Sequence, residues 1–123
     1  MKKRPAALPD CAQYVVPVRD CLDTLSGKWK LPLLGLLLSG KKRFKEIERA
    51  IPGITPRMLS KELRELEINR LITRRVYDSK PIMVEYEMTS YGRSLDAVLF
   101  EMKEWGTKHR KVIMGKTNSI NYQ

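Results

Sequence analysis

The sequence TPRMLSKELRELEINR at residues 55–70 decides the fold, because it separates an apolar stripe from a basic one. At about 100° of turn per residue, Leu59, Leu63 and Leu66 fall within one narrow sector of a helix. The basic residues that fall almost diametrically opposite are Arg57, Lys61 and Arg64. Such a helix packs on a core through its leucines while its other side faces a polyanion.

The residues before this helix supply a shorter helix and a tight turn. Apolar residues at helical spacing over 44–51 predict an amphipathic helix that Pro52-Gly53 ends. Thr55 is a good N-cap for the second helix, and Pro56 fits its first helical position. Helix, tight turn and helix in this order are typical of a helix-turn-helix.

The residues after this helix predict a hairpin. ITRRVY at 72–77 and MVEYEM at 83–88 have strand patterns, and DSKP at 78–81 supplies the turn. A hairpin directly after two such helices is the wing of a winged helix-turn-helix. The predicted fold class is mainly α with a small β-hairpin (α+β), with terminal helices that form a dimer interface.

Further helices are predicted on either side of this unit. One runs from Pro17 to Leu25, and a nearly all-apolar helix over 28–38 is expected to be buried on most sides. Thr89 is expected to cap a long last helix from about Ser90 to Lys111. The predicted organisation is a flexible N-terminal arm at 1–15, a winged helix-turn-helix domain with a C-terminal dimerisation helix at 16–111, and a polar tail at 112–123.

The balance of charge is strongly basic for a chain of 123 residues, which is long enough for one domain. The chain has 24 Lys+Arg against 14 Asp+Glu, which gives a net charge of +10 at pH 7. Such a field attracts nucleic acid, an anionic membrane surface or an acidic protein. Charge alone does not choose among these partners.

Several other classes of function are disfavoured. Cys11 and Cys21 have no CxxC spacing and His109 is the only histidine, so neither a metal site nor a cofactor is predicted. The apolar run at 31–38 is far short of the ~20 residues that span a bilayer. No secretory signal is visible, so no membrane association and a cytoplasmic location are expected. The sequence also lacks a GxSxG motif and a phosphate-binding glycine loop, so an enzyme is not expected.

The basic stripe of the second helix is the predicted DNA-binding surface. Most exposed basic helix faces are merely solvated, but this one occupies the helix that enters the major groove in helix-turn-helix proteins. Arginine grips guanine O6 and N7 bidentately, and serine bonds to either base type. The predicted contacts on this helix are Thr55, Arg57, Ser60, Lys61 and Arg64.

Contacts are also predicted outside the helix. Lys80 at the hairpin tip is placed to reach an adjacent minor groove or the backbone. Arg75 is a further candidate, but Arg74 and Arg75 could instead pair with Glu85 and Glu87 on the partner strand. Phosphate contacts that position the protein without reading sequence are predicted for Lys41, Lys42 and Arg43.

The last helix carries apolar residues on two sides, so it needs two partners, its own domain and a second subunit. A two-fold dimer places two recognition helices about 34–36 Å apart, which matches successive major grooves. The predicted DNA partner is therefore an inverted-repeat operator in double-stranded DNA. The predicted homodimer interface comprises Tyr14, Leu95, Val98, Leu99, Phe100, Met102 and Trp105.

The chain resembles the HxlR family of bacterial winged-helix transcription regulators, which are relatives of the MarR type. The matching phrases are Pro17-Val18 leading into Leu22 and Leu25, Gly27-Lys28-Trp29, Arg43-Phe44, IPGITPRMLSKELRELE at 51–67, VEYEMTSYGRSL at 84–95, and Glu104-Trp105-Gly106. They cover roughly residues 16 to 110. The resemblance implies a dimeric DNA-binding regulator with a helix-turn-helix at 44–70, a wing at 71–88 and dimerisation through the terminal helices.

The chain departs from the family at one position. Members of the family often carry a cysteine just before the Pro-Val pair, and some sense oxidants or electrophiles through it, but this chain has Val16 there. Cys11 lies five residues upstream in the basic arm and is the candidate redox residue. Cys21 is expected to be a small core residue. A small-molecule or redox effector is left open.

The leading hypothesis is thus a sequence-specific transcriptional regulator that binds double-stranded DNA as a homodimer. The alternative is a winged-helix protein–protein interaction module whose basic face binds an acidic partner. The opposed leucine and basic stripes at residues 55–70 favour DNA.

Overall fold

The computed structural model describes residues 11–115, with side chains from Gln13 onward. The elements in chain order are α1 (Cys11–Leu25), α2 (Lys30–Leu38), β1 (Lys42–Arg43), α3 (Phe44–Ala50), α4 (Pro56–Ile68), β2 (Ile72–Tyr77), β3 (Met83–Met88), α5 (Ser90–Arg93) and α6 (Leu95–Gly115). Helices α3 and α4 with the β2–β3 hairpin form the predicted winged helix-turn-helix.

The three strands form an antiparallel sheet in the order β1-β3-β2. The hairpin register places Ile72 opposite Met88 and Tyr77 opposite Met83. The short strand β1, which comes before α3, pairs with β3 through Lys42 and Tyr86. This pairing ties the start of the helix-turn-helix to the wing.

The core lies between α2, α3, α4 and one face of the sheet. Helix α2 is apolar nearly all round and supplies three buried leucines, as many as α4 supplies. The fully buried side chains are Leu33, Leu34, Leu37, Ile47, Leu59, Leu63, Leu66 and Ile72. This packing holds α4 against the domain by its leucine stripe.

Both ends of α4 are capped. The Met58 N–H donates to Thr55 Oγ1 at 3.1 Å, and Pro56 occupies the first turn, as predicted. At the other end Arg70 is left-handed with φ 65°, and the Leu71 N–H donates to the Leu66 carbonyl at 3.0 Å. This six-to-one hydrogen bond is a Schellman ending, in which the left-handed residue turns the chain sharply into β2.

The first helix starts earlier than the sequence analysis predicts. It begins at Cys11 and contains Pro17, so residues 11–15, assigned to a flexible arm, are helical. Tyr14 is half-buried and lies in line with half-buried Cys21 and buried Leu25, so the apolar face continues on the N-terminal side of the proline. The rest of the predicted arm lies outside the described residues.

The last helix also differs from the prediction. It is interrupted at Ser94 and continues to Gly115, so residues 112–115 of the predicted tail are helical. The Ser94 N–H donates to the Tyr91 carbonyl at 3.0 Å, and the Ser94 hydroxyl donates to the same oxygen. These bonds tighten the turn between α5 and α6. The predicted tail beyond residue 115 is outside the described region.

Candidate nucleic-acid interface

Helix α4 has the two opposed stripes that its sequence predicts. Leu59, Leu63 and Leu66 are buried. The five DNA contacts predicted on α4 and at its N-cap are all exposed: Thr55, Arg57, Ser60, Lys61 and Arg64. The core therefore holds the helix by one side and leaves a basic side accessible, while contact with DNA stays a prediction.

A buried lysine that the sequence analysis missed anchors the flank of α4. Lys30, at the start of α2, is only 8% exposed. Its Nζ lies 2.7 Å from Glu62 Oε1 and 2.5 Å from Glu65 Oε1. The available signal was a pair of glutamates three residues apart on α4 and a lysine that opens an otherwise apolar helix.

These contacts favour the charged forms of Lys30 and Glu65. Burial by itself lowers the pKa of Lys30, but the hydrogen bonds to Glu62 and Glu65 outweigh it and raise the pKa above 10.5. The hydrogen bonds from Lys30 and Lys61 hold the pKa of Glu65 below its ordinary 4.5. The contribution of Glu65 to stability is thus fully present above pH 4.5 and is lost as the pH falls through its lower folded-state pKa.

The wing carries ion pairs as well as free-standing basic residues. Arg75 Nε lies 3.3 Å from Glu87 Oε1, so the alternative of cross-strand pairing is realised for Arg75. Lys41 Nζ lies 3.7 Å from Glu85 Oε1. Both basic side chains are more than half exposed, and such pairs contribute little, so neither contact prevents an exchange for a phosphate. Lys80 is exposed in the turn between β2 and β3.

A second group of basic residues lies on α3 and the residue before it. Arg43, Lys45 and Arg49 line a groove between α3 and β3, together with apolar residues of the wing such as Ile82. The Arg43 N–H donates to Glu46 Oε1 at 2.8 Å, which caps the start of α3. Arg43 is a predicted contact, whereas Lys45 and Arg49 are not, although their spacing of four residues puts them on one side of α3.

The predicted dimer residues fall into two groups. Tyr14, Leu95 and Leu99 are half-buried, and the two leucines pack against the domain's own core. The exposed group consists of Val98, Phe100, Met102 and Trp105. Phe100 points away from the other three and carries Lys103 over its ring, with Nζ 5.4 Å from the centroid.

Exposed apolar stripes lie on both terminal helices. Val98, Met102 and Trp105 share a side of α6, where Trp105 also stacks on His109 with ring centroids 4.7 Å apart. Helix α1 adds an exposed stripe of its own, which the sequence analysis did not list as interface: Val15, Val18 and Leu22. We refer to these two stripes as the terminal apolar surface.

The two cysteines differ in what the structure shows of them. Cys21 is a half-buried free thiol packed against the core, as predicted, whereas the side chain of Cys11 is outside the described region. Within residues 11–115 no group of His, Cys, Asp or Glu is placed to hold a metal ion. None of the helices in that range is both long and apolar enough to cross a membrane.

A tight-turn helix pair with an exposed basic second helix and a hairpin wing defines a winged helix-turn-helix regulator. The family described as HxlR-like helix-turn-helix matches residues 24–114. The chain belongs to this family, so the predicted family, fold class and function as a helix-turn-helix transcriptional regulator are confirmed.

Known relatives agree with this assignment. The chain is 46% identical over 97 residues to the HTH-type transcriptional regulator YybR of Bacillus subtilis (strain 168), which covers 79% of this chain and 78% of YybR. The redox regulator HypR in its reduced form is 45% identical with a TM-score of 0.75, and the match covers 80% and 98% of the two chains. A MarR-family transcriptional regulator of Enterococcus faecalis V583 is 34% identical with a TM-score of 0.76, and covers 89% and 98%.

Proposed function

We propose that the protein acts in the cytoplasm as a homodimer that reads an inverted-repeat operator, with α4 in the major groove of each half-site. The observation that carries this proposal is the opposition of the two stripes on α4, since one is buried in the core and the other is basic and exposed. Arg57 and Arg64 are the proposed base readers.

The remaining basic residues are proposed to hold the DNA backbone. Lys80 reaches the adjacent minor groove or phosphates from the hairpin tip, and Arg75 exchanges Glu87 for a phosphate. The group of Arg43, Lys45 and Arg49 extends the phosphate contacts along α3. Contacts of this kind fix register but carry no sequence information.

The terminal apolar surface is proposed to form the dimer. Large apolar side chains that share one side of a helix and remain 38–66% exposed, as Val98, Met102 and Trp105 do, are typical of an interaction surface. A two-fold axis through α1 and α6 would pair the same surface on both subunits. Leu95 and Leu99 would support the interface from beneath, because they pack on the core.

We also propose that a small molecule or a redox signal controls DNA binding. The support is that this chain is 45% identical to HypR, which is a redox regulator. Cys11 is the candidate thiol, because Cys21 is half-buried against the core.

Fluorescence anisotropy across a salt series tests the proposed function. The probes are a duplex from the upstream region of the protein's own gene and a shuffled duplex of the same composition. We expect the native duplex alone to stay bound near 0.15 M salt, while binding to the shuffled duplex collapses because it rests on counterion release. Equal affinities that collapse together would contradict the proposal and favour an acidic protein partner.

The dimer is tested by Met102→Glu. A charge in the centre of the terminal apolar surface would lie unpaired between subunits, so we expect the mass in solution to fall to that of one chain. Lys111→Glu also alters the charge of α6 but lies about 180° around the helix axis at 100° per residue, and it should leave the mass unchanged. Light scattering gives both masses. A Met102→Glu variant that is still dimeric would show that the dimer interface lies elsewhere.

A further inference from the structure

A buried lysine, Lys30, holds the flank of α4. Within the part of the chain that the structure describes, Lys30 is the only buried polar or charged residue. It reaches Glu62 and Glu65 across 32 and 35 residues of sequence, so the contacts join α2 to α4. No other ion pair between side chains in this region joins two helices.

Stability alone does not account for this arrangement. Removing a charge from water is unfavourable, and a buried ion pair is often no better for stability than an apolar group of similar volume. Since α2 is otherwise apolar, a leucine at position 30 would match the rest of the helix. The ion pairs can instead fix the orientation of α4. Hydrogen bonds from one ammonium to two carboxylates need a defined geometry, whereas apolar contacts allow many arrangements.

The contacts of Lys30 restrict the rotation of α4 about its own axis. At about 100° per residue, Glu62 and Glu65 lie about 60° apart, on a flank between the leucine stripe and the basic stripe. A helix with side chains is about 10–12 Å across, so a rotation of about 10° moves its surface by about 1 Å. A shift of that size is enough to spoil a bidentate bond between Arg64 and a guanine.

The same network reaches the basic stripe. Glu65 Oε1 accepts a hydrogen bond from Lys30, and Lys61 Nζ lies 3.3 Å from Glu65 Oε2. When Lys61 turns to a phosphate, Lys30 still donates a hydrogen bond to Glu65. Without Lys30, both Glu62 and Glu65 would then stand unpaired close to the DNA backbone.

We propose that Lys30 is a positioning residue for sequence recognition, acting through Glu62 and Glu65 on the orientation and charge of α4. This inference rests on the proposed function, because it concerns how α4 discriminates between duplexes. Lys30 touches no DNA itself.

The test compares sequence discrimination in charge-matched variants. Lys30→Met alone leaves Glu62 unpaired in a part-buried site and can unfold the domain, so the main variant is Lys30→Met/Glu62→Gln/Glu65→Gln. Glu67→Gln is the control, because it changes the net charge of the chain by the same +1 at an exposed site on α4. Wild-type protein first selects its preferred duplex from a random 20-bp pool, and anisotropy then gives Kd for that duplex and for its shuffled version.

We expect the ratio of the two Kd values to fall at least 10-fold in the triple variant, with affinity for the shuffled duplex unchanged or higher. Glu67→Gln should keep the wild-type ratio. A triple variant with the wild-type ratio would overturn the inference and leave Lys30 a purely structural residue. If wild-type protein enriches no duplex, the proposed function itself fails and the inference falls with it.

A milder variant covers the case in which the triple variant does not fold. Glu65→Gln frees Lys61 and keeps the bond from Lys30 to Glu62, so we expect tighter binding to the shuffled duplex and a ratio reduced about 3-fold or more. An unchanged ratio in Glu65→Gln would also overturn the inference.

Discussion

Arg64→Ala is expected to weaken binding to the preferred duplex about 10- to 100-fold, because a bidentate arginine–guanine contact discriminates by about 1–3 kcal/mol. Arg64 is exposed on the basic stripe, one turn after Ser60 and Lys61. Affinity for a shuffled duplex should fall much less, since only one charge is lost. Anisotropy with both duplexes at one salt concentration measures the two effects.

Lys41→Ala is the matched control for Arg64→Ala. Lys41 is also exposed and basic, but it lies in the turn before α3 and pairs with Glu85. Because Lys41 is a predicted phosphate contact, its replacement should weaken binding to both duplexes to a similar, small extent. The slope of log affinity against log salt concentration should fall by about one charge. Equal losses on the two duplexes in Arg64→Ala would show that Arg64 positions the protein and does not read bases.

Gly92→Ala is expected to lower the free energy of unfolding by about 3 kcal/mol, through overpacking of a site with no free space. A Cβ at Gly92 would lie 2.1 Å from the Leu71 carbonyl oxygen and 2.9 Å from Met88 Cε. The backbone must move, and that movement strains a cap, because the Gly92 N–H donates to Thr89 Oγ1 at 2.8 Å. Thr89 in turn donates its N–H to Leu71 at 2.9 Å.

Gly35→Ala controls for the general effect of replacing a helical glycine. Gly35 lies within α2, and a Cβ there would meet no neighbouring atom within 4 Å. Its replacement should leave stability unchanged or raise it by up to about 1 kcal/mol, from helix propensity. Urea denaturation at several protein concentrations separates folding from dimer dissociation. A loss below about 1 kcal/mol in Gly92→Ala would mean that α5 moves aside freely.

Most of the fold could be read from local patterns. The strands at 72–77 and 83–88, the cap at Thr55 and the buried leucines of α4 match their predictions, because each depends on residues close in sequence. The errors lie where a local signal competes with packing. The pattern predicts a helix start at Pro17, whereas the helix begins at Cys11 and half-buried Tyr14 continues its apolar face. Similarly, no periodicity marks the tight turn at Ser94.

The candidate site was only partly predictable. Exposure of the basic stripe follows from the position of its leucines, so sequence sufficed to predict that Arg57, Lys61 and Arg64 are exposed. Lys45 and Arg49 are not among the predicted contacts, since the groove that they line exists only where the wing closes its other side. The pairing of Arg75 with Glu87, one of two alternatives left open, needed the register of the sheet and the rotamers of both side chains.

The class of protein follows from the sequence, because helical period, turn chemistry and charge are all local properties of the chain. Which basic residues are buried and paired and which remain exposed depends on the tertiary packing. Lys30 and Lys61 are both lysines in helices, but one is buried between Glu62 and Glu65 and the other is exposed beside Glu65. Burial and pairing across more than 30 residues depend on how α2 packs against α4, and that packing is a property of the whole core.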